Sequence, residues 1–283
     1  MATEIPYCDE TWAVTAGCTK CETGCLNDWA ERVAKRLKGK GVQGYDKVVD
    51  KNGWTGHIEL LPWNLDKPLR WRKPRRIFVN SMSDLFHQDV PDFYKQRIFL
   101  TMAGIDHHTY LIFTKRIKEA YLFWTSKWTQ GLQHEFGLKN IQLILSLSTQ
   151  KEADEKIPIL LQIPATVRGL SIEPLLSEID LHISDSRKDI IWRRTHGGCY
   201  ERQFLQWCVV GCESLAGGKA GRFQDGFIDA ARSIVQQCQA DDVPVYVKQI
   251  PINGKVVRDI KQFPKDLQIQ QYPKGKVMPN DEQ

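Results

Sequence analysis

Gly17-Cys18-Thr19-Lys20-Cys21-Glu22-Thr23-Gly24-Cys25-Leu26-Asn27-Asp28-Trp29-Ala30 is the stretch on which the fold turns. Three thiols fall within eight residues of a 283-residue chain that holds eight cysteines in all, so a shared inorganic ligand is the first reading to weigh. A structural zinc takes four ligands and closes its site, whereas a cluster on three cysteines leaves one iron open to a substrate or cofactor. Only three thiols are local, and Cys8 is the nearest candidate for a fourth. Upstream, 11–15 reads as a strand. Downstream, Trp29, Val33 and Leu37 recur at four-residue spacing with charges between them, which predicts an amphipathic helix over 26–37. The thiol loop thus joins a strand to a helix.

Working outward, a chain with 42% hydrophobic residues can bury a proper core, and a net charge of +5 neither announces nor excludes a nucleic-acid partner. No apolar run approaches the roughly 18 residues of a membrane span, and the N-terminus has neither a basic head nor an apolar core, so the chain reads as cytoplasmic with no membrane. Reduced thiols are then the default, with Cys199, Cys208 and Cys238 as buried small hydrophobes.

Residues 38–75, rich in Gly, Pro, Trp and Lys, read as an irregular excursion. After it the pattern becomes regular. Strands are predicted at 77–80, 110–113, 141–147, 166–172, 207–210 and 243–247, and helices at 91–102, 116–136, 150–161 and 225–239. With the strand at 11–15 this makes about seven βα units and a parallel sheet. Polar residues at nearly every strand end favour an α/β fold of the full or partial (β/α) TIM-like barrel type over an open doubly wound sheet. One barrel domain over 1–250 is expected, with an insertion at 177–204 read as a β-excursion and a C-terminal surface extension over 251–283.

The strand ends carry the chemistry. Asn80, Ser83, Asp84, Lys115, Glu173, Glu213 and Lys248 follow different strands, and with the thiols they converge on one mouth if the barrel forms. Each also has an ordinary reading: Asp84 as a helix cap, Lys115 and Arg116 as solvated charges, Glu173 as a turn residue before Pro174, His87 as a surface or core histidine, and His107-His108 as a solvent-exposed pair. The run Arg70-Trp71-Arg72-Lys73-Pro74-Arg75-Arg76 has the basic and aromatic make-up that grips phosphates and stacks bases, and equally that of a solvated loop.

Thr11-Trp12, Gly17-Cys18-Thr19-Lys20, Gly24-Cys25, Asn80-Ser81-Met82-Ser83-Asp84-Leu85-Phe86-His87, Thr114-Lys115-Arg116, Ser171-Ile172-Glu173-Pro174-Leu175-Leu176, Glu213-Ser214 and Lys248-Gln249 together resemble the phage-associated three-cysteine-motif family of uncharacterised proteins. That family is similar to the radical SAM enzymes. The resemblance spans about residues 11–250 and implies a radical SAM type of barrel, a [4Fe-4S] cluster on three thiolates and S-adenosylmethionine on the open iron. Reductive cleavage would then give a 5'-deoxyadenosyl radical, for which an electron donor is needed. By the same resemblance Asn80, Ser81, Ser83, Asp84, Lys115, Arg116, Glu173 and Glu213 would bind cofactor, while Glu173, Glu213 and Lys248 would act on the substrate. Cys18 and Cys21 do not both match: Cys18 and Cys25 align with two ligands, but where the family has its last cysteine this chain has Asp28, and Cys21 is additional. Ser148-Thr149 also stand where the family tends to have Glu-Asn.

Three outcomes stay open at that departure. Cys21 supplies the third ligand, giving Cys18, Cys21 and Cys25; or Asp28 supplies a carboxylate; or the cluster is lost. The leading expectation is a radical SAM-like enzyme that modifies or isomerises a small-molecule or base-linked substrate, in phage DNA hypermodification, with Arg70, Trp71, Arg72, Lys73, Arg75 and Arg76 meeting DNA. The alternatives are a cluster-free nucleic-acid-binding barrel and a zinc-stabilised interaction protein.

Overall fold

The computed structural model describes residues 3, 5–182, 192–194, 200–202 and 204–273. Eight strands form one mostly parallel sheet: β1 (Glu10–Trp12), β2 (Arg76–Val79), β3 (Thr109–Thr114), β4 (Ile141–Leu147), β5 (Val167–Ile172), β6 (Trp207–Gly211), β7 (Val245–Ile252) and β8 (Lys255–Val257). Their order in the sheet is their order in the chain. β1 with β2, β2 with β3, β5 with β6 and β6 with β7 pair in parallel, and β7 with β8 antiparallel. Among the described residues the pairing does not close into a ring. No helix among the described residues is long and apolar enough to cross a membrane.

The described residues divide into two compact units, those up to 144 and those from 145. In the first, helix α1 (Trp29–Gly39) starts at Asp28 instead of Leu26, because 23–25 coil into a short 3-10 turn and the Asp28 carboxylate accepts the Ala30 N–H at 2.8 Å. Glu31 in the first turn and Arg36 and Lys38 in the last complement the helix dipole. The buried face is formed by Ala30, Val33, Ala34 and Leu37; Trp29, expected on it, stands at the helix start and is 43% exposed. Against this face pack Tyr45, Val48, Val49, Trp54 and Leu61, so the excursion over 38–75 is a cover for α1. It contains one small antiparallel pair, Val49–Asp50 with Gly53–Trp54, and its Glu59–Leu60 pairs antiparallel with Thr15–Ala16 before the thiol loop.

Helix α2 (Asp92–Gly104) follows Pro91, whose fixed φ suits a helix entry. The helix expected over 116–136 is two, α3 (Ile117–Trp124) and α4 (Lys127–Phe136), divided where the Ser126 hydroxyl caps α4 by accepting the Thr129 N–H.

The second unit holds α5 (Gln150–Gln162), β5 and β6, α6 (Phe227–Ala240), β7 and β8. Every residue of β5 and β6 is buried, as expected for strands covered on both faces. The insertion contains an antiparallel pair, Trp192–Arg194 with Tyr200–Arg202; Cys199 lies outside the described residues. β7 runs to Ile252 and turns at Asn253-Gly254, both at positive φ, into β8. Of the C-terminal extension expected over 251–283, the part described to residue 273 contains the buried Phe263 and Leu267, and its Gln271 carbonyl accepts the Trp207 indole N–H at 3.0 Å. Cys208 and Cys238 are fully buried, as expected.

In the first unit one side chain sets where β1 stops. The buried Asn80 carboxamide accepts the N–H groups of Val14 and Thr15 at 2.9 and 3.0 Å and donates to the Thr15 hydroxyl at 2.8 Å. The strand expected over 11–15 therefore ends at Trp12, and Thr15–Ala16 turns to a different partner. Asn80 itself sits at φ 58°, a region asparagine tolerates better than other non-glycine residues. Asn80→Ala leaves two buried N–H groups unpaired and is expected to lower unfolding free energy by about 2–4 kcal/mol, read by urea denaturation; a loss below 1 kcal/mol contradicts this account.

Candidate functional site

The thiol loop begins at Gly17, at φ 96°, where a Cβ would collide with the His57 carbonyl oxygen. Gly17 bridges to Ser83 behind β2. The loop is then tied to α1 from both ends. Lys20 pairs with Glu31 at 2.9 Å, and Asp28 uses both oxygens, one on the Ala30 N–H and the other on the Trp54 indole N–H at 2.8 Å. Asp28, an alternative metal ligand by sequence, is engaged as the cap of α1 and the latch of the excursion. Nothing in the sequence pattern announced Trp54 as its partner.

The ends of β2 and β3 meet the loop. Asp84, 6% exposed, accepts from the Phe86 N–H at 2.9 Å, the Thr114 hydroxyl at 2.8 Å and the Lys115 N–H at 3.0 Å. Its other neighbour is the Arg116 guanidinium at 3.5 Å. Arg116 in turn donates from Nη2 to the Thr19 hydroxyl at 2.6 Å and the Thr19 carbonyl at 3.1 Å, and from Nη1 to the sulfurs of Cys21 at 3.5 Å and Cys18 at 4.0 Å.

His87, read as surface or core, is a core histidine with 0% exposure. Its Nδ1 accepts the Asp89 N–H, so Nε2 carries the proton and donates to the Thr19 hydroxyl at 2.9 Å. Burial, and then Arg116, hold its pKa below the usual value, consistent with a neutral ring. Thr19 thus receives two donors, a role its place between two cysteines did not advertise.

The thiols differ in electrostatics. Burial, then Asp84, pushes Cys18 up to about 12. The hydrogen bond between Cys21 and Cys25 raises Cys21 and, as the largest cause, lowers Cys25 to about 6 against its burial; Lys115 also favours the Cys25 thiolate. Cys21 is exposed, and Cys25 is buried. Among the described residues no three His, Cys, Asp or Glu side chains converge as for a single bound ion. Of the other groups expected to bind cofactor here, Asn80 is engaged on backbone, Ser81 is half-buried, and the half-buried Ser83 hydroxyl has no hydrogen-bond partner among the described residues.

The second unit has its own polar groups at strand ends. Lys248 pairs with Glu173 at 2.9 Å, and the Ser171 hydroxyl donates to Glu173 at 3.3 Å. Glu173 lies over Gly211, where a Cβ would come within 2.6 Å of its carboxylate. Beside it the buried Cys212 thiol is pushed up to about 12, by burial first and then by Glu173. Glu213, 3% exposed, is gripped by the Arg222 guanidinium, by 3.2 Å from Nε and 2.5 Å from Nη2 to Oε1, and by the Arg222 N–H at 2.8 Å. Arg222 escaped the sequence reading because it is nine residues past its partner in an irregular segment.

The basic run is partly neutralised. Arg70 pairs with Asp66 at 2.6 Å, Arg75 with Glu10 at 2.8 Å, and the Arg75 guanidinium lies 6.0 Å from the Trp71 ring. Trp71 and Arg76 are half-buried, and Arg72 and Lys73 are exposed. His107 is exposed as expected, but His108 is buried and bonded through Nε2 to the Pro68 carbonyl at 3.1 Å.

Fold and site together define an α/β protein with a chain-order sheet and a thiol loop braced by an arginine. The chain belongs to the family described as "Protein of unknown function (DUF5131)", which matches residues 2–272. No curated protein and no solved structure matches it.

The Asp28 latch is testable in the metal-free protein. Asp28→Ala removes a helix cap and the acceptor of an indole N–H, for an expected loss of about 1–3 kcal/mol of unfolding free energy. Trp54→Phe should cost less. In the double variant the losses should fall short of additive by about 0.5–1.5 kcal/mol, and strict additivity in urea titrations would sink the latch.

Proposed function

We propose that this protein is an iron-sulfur enzyme of the radical SAM type, with the sheet forming a partial (β/α) barrel and Cys18, Cys21 and Cys25 holding a [4Fe-4S] cluster. The observation that carries the reading is that Cys18 and Cys21 face the same guanidinium and Cys25 is hydrogen-bonded to Cys21, while both oxygens of Asp28 are engaged. A cubane takes each thiolate on a different iron, so its ligands need not converge on a point as those of one zinc must. The donor set therefore fits a cluster better than a single ion, and favours Cys21 over Asp28.

Bound there, the cluster would supply the electron, received from a donor, that cleaves S-adenosylmethionine to methionine and a hydrogen-abstracting 5'-deoxyadenosyl group. The chain's own residues supply placement and exclusion of water. Ser83, whose hydroxyl has no partner among the described residues, and Ser81 are the first unit's candidates to meet the cofactor. In the second unit the Glu173–Lys248 pair and Glu213 are the candidates for ordering substrate and holding its proton. Arg72 and Lys73 are the exposed cations for a DNA backbone, which makes a base-linked substrate the favoured class. We assign the protein to the cytoplasm on this reading, since such clusters need reducing surroundings.

The test is anaerobic reconstitution with iron and sulfide, reduction, addition of S-adenosylmethionine and assay for 5'-deoxyadenosine. Product is expected from the wild type, at least tenfold less from Cys21→Ala, and retained in Asp28→Ala at a temperature where that variant stays folded. Stoichiometric zinc in place of iron and sulfide would convert the reading to a zinc-stabilised interaction protein. Neither metal, with salt-sensitive DNA affinity, would convert it to a nucleic-acid-binding barrel.

A further inference from the structure

Arg116 makes more contacts with the thiol loop than its place after β3 requires. Nη2 holds both the hydroxyl and the carbonyl of Thr19, while Nη1 faces two sulfurs and the Asp84 carboxylate. Its side chain is only 10% exposed and that of Asp84 8%, so water screens this charge weakly. A guanidinium keeps its proton at any working pH, which makes this a fixed charge. The opposing carboxylate is spread over three hydrogen-bond donors, the Thr114 hydroxyl and the Phe86 and Lys115 N–H groups, whereas the guanidinium faces the sulfurs directly.

We propose that Arg116 is a positioning residue with two separable tasks: through Thr19 it folds the loop onto the end of β3, and through its charge it sets how readily a cluster held by Cys18, Cys21 and Cys25 accepts an electron. The second task rests on the reading above that a cluster is bound. A cluster on three thiolates becomes more negative when it takes up an electron, so a fixed cation at the sulfurs favours the reduced form and its removal disfavours it. The hydroxyl of Thr19 serves only the first task.

The experiment compares wild type, Arg116→Gln, Arg116→Lys, Thr19→Val and Asp84→Asn, each reconstituted anaerobically. The readouts are iron and sulfide per chain, and the fraction of reduced cluster by electron paramagnetic resonance across a redox titration. Arg116→Gln should lower the reduced-to-oxidised ratio at a fixed potential at least tenfold, equivalent to 59 mV for one electron. Arg116→Lys should restore most of that ratio. Thr19→Val should load less cluster but leave the ratio of the loaded fraction unchanged. Asp84→Asn should shift the ratio the opposite way, and it decides the question if Arg116→Gln loads no cluster. Equal ratios in all loaded variants would overturn the proposal and leave the iron-sulfur reading standing; a wild type that takes up no iron and sulfide would instead remove that reading itself.

Discussion

A carboxylate buried at the end of β2 must be satisfied by fixed donors, and Asp84 is the constraint on which the candidate site depends. The Phe86 and Lys115 N–H groups and the Thr114 hydroxyl come from the segments following β2 and ending β3, so solvating this one anion draws both strand ends together. The anion then holds Arg116, which would otherwise be a nearly buried cation without a counter-charge. Arg116 reaches the loop after β1 through Thr19. Three strand ends are thereby linked through one charge pair. Apolar packing places the strands, but it is this pair that determines what they present.

The same economy of contacts appears around the loop. Asn80, at the end of β2, satisfies the N–H groups that β1 leaves unpaired as it breaks off. Asp28 caps α1 and, through Trp54, fastens the excursion over the apolar side of that helix. Each of these side chains closes one element and opens the next. Removing any of them exposes backbone or indole donors in places that water reaches poorly, which costs more than the bond itself.

How much of this could be read beforehand followed from range. Ile141–Leu147 was legible to the residue because its apolar residues, interrupted only by Gln142 and Ser146, form one short run bounded by polar ends. The break at Ser126 and the Asn253-Gly254 hairpin were written in local signals, a capping serine and a turn dipeptide, that the stronger apolar periodicity around them masked. The strand expected over 11–15 was cut short by an amide 65 residues away from Thr15, which no local window contains. The site divided likewise. Density of thiols and polar strand ends marked Cys18, Cys21, Cys25, Asp84 and Arg116, but the partners that give them roles, Thr19, His87 and Trp54, are joined only by tertiary contact. In the second unit, Glu173 is held by Lys248 and Glu213 by Arg222, the latter a partner that no local window showed.

Position 28 draws these threads together. The resemblance that first suggested a cluster expects a cysteine there, yet the first helix needs an oxygen acceptor at its start, and a thiol is a poor one. With aspartate in that position α1 gains a cap and the excursion gains a latch, and neither oxygen is left over for a metal. On the proposed cluster, a third thiol would then come from within the loop. Cys21 would meet that demand where it is hydrogen-bonded to Cys25 and faces the Arg116 guanidinium at 3.5 Å. On the cluster proposed above, Asp28 and Cys21 are coherent as a pair: the carboxylate serves the scaffold, and the third thiol stands beside the fixed positive charge of Arg116.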